Sequence, residues 1–308
     1  MTSTAHVDSG QVAVTGANSA VGKALLARLA GADELRVVAV VRRQAAVATL
    51  PRSPRIAAEV IGYDQPDRLR AALGGVDCVV HLAGVLFETR ASDYRRANVD
   101  TTRVLVEAAR AATVRHIVFV SSLGADPDSP NGYFRSKGEA ERLVAGAGVA
   151  ATIIRTPLLL GPDTAGGRAL LRDATRPAVR LLGGGAHRLR PLDVDDLCAA
   201  VARCCREPST GARTHELVGP TLLTQRELLQ QTARLLDRDP AIRSTPLWLA
   251  RLGARLAGLI RTGGLTPAVI DVITSDEAVP RNADGDLGID LTPLSDTLAK
   301  LRQSAGGP

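Results

Sequence analysis

The chain has 308 residues, a formal charge of +6 at pH 7 and 45% hydrophobic side chains, with few aromatics (Trp 1, Tyr 3, Phe 3). That length suits one large α/β domain, or a domain with an appended lobe, and the ordinary charge content excludes wholesale disorder and collagen-like repeats. The basic excess is almost all arginine, with only Lys23, Lys137 and Lys300 as lysines; it forms no basic tail and has few base-stacking aromatics beside it, so nucleic-acid binding has no support.

From residue 11 short β-rich runs alternate with helical patterns. QVAVTGA (11–17) reads as a strand, 19–32 as a helix and LRVVAVVRR (35–43) as a second strand. The alternation continues through a strand at 55–64, a helix at 66–76, a strand at 77–84, one long helix at 93–114 and a strand at 115–125. A helix at 132–147 and a sixth strand, ATIIRTPLLLG (151–161), complete the run. Strands so continuous in Val, Ile and Ala suit a parallel sheet covered by helices on both faces, the Rossmann-type doubly wound α/β fold. After Gly161 the rhythm breaks into Gly/Pro-punctuated segments, with helices at 194–207, 224–238 and 246–261 and a short strand at 214–219. We read 1–160 as an NADP(H)-binding core and 161–308 as a smaller substrate lobe, some of whose segments return to the core.

Cys78, Cys198, Cys204 and Cys205 have neither metal-ligand spacing nor a disulfide framework, so no metal is expected and a reducing cytoplasm fits. The leader lacks a charged region followed by an apolar one, and no apolar run is long enough to span a bilayer.

TGANSAVG (15–22) joins the first strand to the first helix. Gly16 permits the tight turn and Gly22 a close helix–strand approach, so that the backbone around Asn18, Ser19, Ala20 and Val21 faces a pyrophosphate. Ser19 stands where the usual fingerprint has its middle glycine. The second strand ends in Arg42-Arg43, where an NAD enzyme places a carboxylate on the ribose. Guanidinium groups there favour the 2′-phosphate of NADPH/NADP+. Asp64 is placed to hold the adenine amino group, and Ala83-Gly84 lets backbone pass close to the cofactor.

Ser121-Ser122 closes the fifth strand, and Tyr133 and Lys137, four residues apart on the next helix, share one face. A phenol is a poor acid at neutral pH unless an ammonium stabilises its phenolate, and a serine can bond the carbonyl oxygen that gains charge during hydride transfer. With three tyrosines and three lysines in the whole chain, their pairing here points to reductase chemistry.

TGANSAVG, HLAG (81–84), ANVDTT (97–102), VSSLGADPDSP (120–130), YFRSK (133–137) and RTPLLLGP (155–162) resemble the extended and atypical short-chain dehydrogenase/reductases. The branch most similar is that of the 39-kDa-type accessory subunit of respiratory complex I, a likeness that continues through 191–201, 214–220 and 223–229 and thins after Pro240. It implies a Rossmann core binding NADP(H), with Tyr133 as general acid/base, Lys137 lowering its pKa and Ser122 orienting the carbonyl, Ser121 being the alternate. It also implies that Asn98 supports a proton relay and that backbone at Pro157 touches the nicotinamide. The Ser122–Tyr133 separation is short compared with that of the extended sugar-nucleotide enzymes.

Ligands of such folds bind beyond the carboxyl ends of the strands, so Leu86, Phe87, Tyr94, Leu158, Leu159 and Leu160 are expected to line an apolar substrate pocket. The expected function is an NADPH-dependent ketoreductase of the short-chain dehydrogenase/reductase superfamily, acting as monomer or homo-oligomer on a small apolar or aromatic carbonyl compound in bacterial secondary metabolism. The alternatives are a non-catalytic NADP(H)-binding structural or redox-sensing protein and, disfavoured by Arg42 and Arg43, a sugar-nucleotide epimerase or dehydratase.

Overall fold

The computed structural model of the chain describes residues 10–31, 35–89, 92–258 and 265–305, with backbone alone at 257 and 258. The leader to residue 9, Arg90 and Ala91 of the expected substrate loop and the end of the 246–261 helix lie outside the described residues.

The first half builds a parallel sheet from β1 (Gln11–Thr15), β2 (Arg36–Val41), β3 (Ile56–Val60), β4 (Cys78–His81), β5 (His116–Ser122) and β6 (Ala150–Thr156). Between these strands run α1 (Ala20–Ala30), α2 (Gln44–Val47), α3 (Pro66–Ala72), α4 (Thr101–Ala111) and α5 (Gly132–Ala145). The helix expected over 93–114 begins as a π-helical turn, Arg95–Asp100, before α4 takes over. Such turns widen a helix to re-aim side chains, and this one carries Asn98.

The sixth strand also differs from expectation. It leaves the sheet at Pro157, and Leu159–Leu160 (β7) pairs with a later segment instead. The chain then forms α6 (Ala165–Ala174), β8 (Ala178–Leu182), β9 (Arg188–Leu189), β10 (Leu192–Asp193), α7 (Val194–Arg206), β11 (Ala212–Glu216) and β12 (Leu223–Thr224). It ends with α8 (Gln225–Leu235), β13 (Ala241–Thr245), α9 (Leu247–Gly258), α10 (Pro267–Ile273), α11 (Asp284–Leu287) and α12 (Leu294–Ala305). The seven-stranded order is β11-β6-β5-β4-β1-β2-β3, so the winding reverses between β1 and β4.

Two cores follow from the two sheet faces. Leu25, Leu26 and Leu29 of α1 and Leu197, Val201 and Cys205 of α7 cover one. Leu69, Leu105, Ala109, Ala140 and Val144 of α3, α4 and α5 cover the other. Thus α7 and β11, both after residue 160, belong to the Rossmann layers. The remaining segments form a lobe around Leu160, Leu189, Leu223, Leu228, Leu294, Leu298 and Leu301, with the two-stranded pairs β7–β10, β9–β12 and β8–β13. The four cysteines are buried and free, and no cluster able to hold a metal occurs among the described residues.

Candidate active site

At the switch point the chain leaves β1 through Gly16 in the left-handed region (φ 70°). A side chain there would meet the Ala83 amide nitrogen and Leu82 carbonyl carbon at 3.0 Å, so the turn and the backbone after β4 lie together with no room for a Cβ. Gly22 is held as tightly, with the Ala17 carbonyl oxygen 2.5 Å from where its Cβ would stand. Ser19 caps α1: its Oγ accepts from the Gly22 amide at 3.0 Å. The residue that departs from the glycine fingerprint therefore satisfies one of the helix's free amides. Asn18 and Ser19 are exposed, and Ala20 and Val21 half-buried.

Arg42 and Arg43 follow β2 and are exposed, in no ion pair among the described residues. Arg42 is close enough to Tyr63 to favour its phenolate, although burial prevails and pushes that phenol up to about 12. Asp64 is exposed; the cap position of α3 is Gln65, so Asp64 is not a capping group.

Beyond β4, Asn98 organises the site. Its Oδ1 accepts from the Val85 amide at 2.8 Å, while Nδ2 donates to the Val85 carbonyl at 3.3 Å and to Ser136 Oγ at 2.9 Å. Ser136 Oγ in turn donates to the Tyr133 carbonyl at 2.7 Å. Asn98 thereby ties the β4 loop to the first turn of α5, and Gly84 passes so near that a Cβ would stand 3.0 Å from Asn98 Oδ1. Asn131 caps α5, accepting from the Tyr133 amide at 3.0 Å, and its Nδ2 donates to the Ala268 carbonyl of α10 at 2.9 Å. Asn131 and Ser136 escaped sequence reasoning; an Asn just ahead of a helical run was the available signal for the first.

The Tyr133 ring stands edge-on to Tyr94, centroids 5.8 Å apart. Burial raises its phenol, opposed by Ser122, and Lys137 is not among the groups that shift it, so the lowering expected of the lysine is overturned; Ser122 Oγ donates to the Leu123 carbonyl at 3.0 Å. Lys137 is 7% exposed. Its Nζ donates to the Val120 carbonyl at 3.0 Å and sits 4.2 Å above the Phe119 ring, and burial brings its ammonium down to about 8 against the opposing pull of Glu141. Beneath, His81 stacks on Phe119 and bonds Thr15 Oγ1 at 2.7 Å and Thr102 Oγ1 at 3.1 Å. Burial first, and Lys137 second, push His81 down to about 3, so this imidazole is neutral and part of the floor. The HLAG run contained it, but only the fold places it under the lysine.

Of the residues expected to line a substrate pocket, Tyr94 stands against Tyr133, its hydroxyl donating to the Leu86 carbonyl at 2.9 Å, and Phe87 is exposed nearby in sequence. Leu158 is half-buried, and its amide donates to Glu277 Oε1 at 2.7 Å. Leu160 must be reassigned. It is fully buried in the lobe's own core, because β7 turns away to pair with β10, while Leu159 packs partly against the sheet core.

Residues 16–181 match the family of NAD(P)H-binding domains. The ceramide reductase of Caulobacter vibrioides is 30% identical over 77% of this chain and 74% of its own length. The chain belongs to the atypical short-chain dehydrogenase/reductases. A mitochondrial NADH dehydrogenase (ubiquinone) 1 alpha subcomplex subunit 9 from Arabidopsis thaliana is 27% identical over 74% of the chain, which spans 60% of that subunit. In fold, the chain is similar to MoeE5 in complex with UDP-glucose and NAD, with a TM-score of 0.77 at 24% identity, covering 96% of this chain and 98% of that one. The reaction class is that of an NAD(P)H-dependent oxidoreductase.

The residues present fit a nicotinamide cofactor. Gly16, Gly22 and Gly84 leave backbone where side chains would obstruct, and Ser121, 4% exposed, holds a buried hydroxyl with no partner among the described residues. Gly16 to Gly22 would hold the pyrophosphate at the start of α1, with Ser121 and Lys137 toward the ribose and nicotinamide.

Proposed function

We propose that the chain is an NADPH-dependent ketoreductase that reduces the carbonyl of a small apolar or aromatic compound. What supports the reading is the placing of half-buried Tyr133 in the first turn of α5, edge-on to Tyr94, with the buried Lys137 one turn on and the unpartnered Ser121 hydroxyl at the end of β5. A phenol that carries its proton at neutral pH can donate it to the alkoxide that carbonyl reduction forms. A bound nicotinamide supplies the hydride. Ser122 orients the carbonyl oxygen, Tyr133 protonates it, and Lys137 holds positive charge one turn along α5. Asn98 is a positioning residue, since its amide and its carbonyl, which accepts from Thr102 Oγ1 at 2.6 Å, are engaged by the scaffold. Arg42 and Arg43, without carboxylate partners among the described residues, support NADPH over NADH, and the relatedness to a ceramide reductase supports an apolar substrate.

NADPH oxidation against a panel of aliphatic and aromatic ketones tests the reading. Tyr133→Phe should lower kcat by at least about 100-fold while NADPH binding, followed by fluorescence, is kept. Full activity in that variant would overturn the acid role, and tighter binding of NADH than of NADPH would overturn the cofactor preference. A second reading, an NADP(H)-binding protein without turnover, draws on the Lys137 ammonium being turned to the Val120 carbonyl. Cofactor binding with no turnover on any ketone of the panel would favour it.

A further inference from the structure

The described helices mostly bury their apolar side chains, but α9 turns a row of them outward. Trp248 is 67% exposed, Leu256 57%, and Leu249 and Leu252 47% each. Positions 248, 252 and 256 are spaced by four and 249 lies between them, so they form one continuous stripe; Ala254, on the opposite side, is buried. Arg255 flanks the stripe with no ion pair among the described residues, and Arg251 anchors the helix to α10 through Asp271 at 2.8 Å. Four large side chains in one outward stripe mark an interaction surface.

A second observation concerns charge. The strand that leads into α9 through Pro246 is β13, and it pairs with β8 so that Arg243 stands opposite Arg180. Like charges directly across a strand pair repel. With Arg172 and Arg176 they line a cleft of about 420 Å³ whose one carboxylate, Asp173, is taken by Arg172 at 3.1 Å and Arg176 at 3.6 Å. No carboxylate among the described residues neutralises Arg180 or Arg243, so the cleft is built to meet anions. An outward apolar stripe carrying tryptophan, next in the chain to unneutralised arginines, is the composition of a helix that lies in a lipid headgroup layer. With no described helix long and apolar enough to cross a membrane, the attachment is to one face of the bilayer.

We propose that α9, with the Arg180–Arg243 cleft, docks the protein on a bilayer surface bearing anionic phospholipids. The test of this docking needs no substrate. Trp248 is the chain's one tryptophan, so intrinsic tryptophan emission reports on α9 alone. Adding vesicles of roughly three parts phosphatidylcholine to one of phosphatidylglycerol should shift that emission to the blue, with quenching by bromine-labelled acyl chains. Emission unchanged by these vesicles would overturn the proposal. Arg180→Glu with Arg243→Glu should weaken partitioning by roughly 30-fold or more on anionic vesicles. Unchanged partitioning would remove the cleft from the docking surface. Leu252→Ser with Leu256→Ser, at exposed positions, should abolish vesicle co-sedimentation with the circular dichroism spectrum unaltered. A dimer in analytical ultracentrifugation that this pair dissolves would assign the stripe to a second copy and overturn the membrane reading.

Discussion

Lys137 shows how burial sets chemistry at the residue scale. Its ammonium has one backbone acceptor and an aromatic face for solvation, and its pKa falls from 10.5 to about 8. Tyr133 moves the other way. Reduction needs the phenol's proton, which the upward shift retains, and the lysine's charge, which is present below about 8 and lost above it. We therefore expect kcat/KM for ketone reduction to be level near neutrality and to fall with an apparent pKa near 8, read from initial rates across pH. An alkaline limb left in place by Lys137→Met would assign it to another group. The Tyr133–Lys137 pair and Ser122 were legible in the sequence because both residue types are scarce and their spacing is helical. The hydrogen bonds of Asn98 and Ser136 were not, since they join residues 38 apart across the π-helical turn and α5.

Elements are joined in the lobe by a single carboxylate. Glu277 accepts from the Leu158 amide at 2.7 Å and from the Arg190 amide at 2.9 Å, clamping the segment after α10 onto the exits of β6 and β9. Removing it leaves two enclosed amides unpartnered, so Glu277→Ala should cost about 2–4 kcal/mol in urea unfolding. Burial raises this carboxyl from 4.5 to about 7 against the two amides, so the unfolded chain ionises first as pH rises. Stability contributed by the protonated group is whole below 4.5 and lost as pH passes through about 7. Glu277→Gln should flatten that part of the stability profile, and an unchanged slope would sink the assignment. Nothing in the sequence singled out this glutamate, because its two partners lie 119 and 87 residues away.

For the whole molecule the decisive tie joins the C-terminal helix to the Rossmann layers. Asp193, 2% exposed, caps α7 through the Asp195 amide at 2.9 Å and accepts from Thr297 Oγ1 at 2.8 Å and Lys300 Nζ at 3.0 Å on α12. Asp193→Ala removes a cap, the acceptor of Thr297 and one of the two carboxylates on Lys300, the other being Asp195 at 2.7 Å. We expect a loss of about 3 kcal/mol and a Tm several degrees lower by calorimetry. A Tm unchanged by the substitution would mean that α12 is held by Leu294, Leu298 and Leu301 and by the Lys300–Asp195 pair without help from Asp193.

The sequence by itself determined the strand–helix alternation and the glycine turn at the start of α1, and it set out Ser122, Tyr133 and Lys137 as candidates, because these rest on local spacing and backbone sterics. The predictions draw on a few residues of its composition: two arginines after β2, one tyrosine and one lysine on α5. Tertiary structure alone decided that β11 and α7 close the sheet, that Leu160 belongs to the lobe's core, that His81 and Phe119 floor the lysine and that α9 faces outward. Each of these depends on which surfaces meet after the chain has turned back on itself. Burial then lowers the pKa of Lys137 and of His81, and no local pattern encodes it.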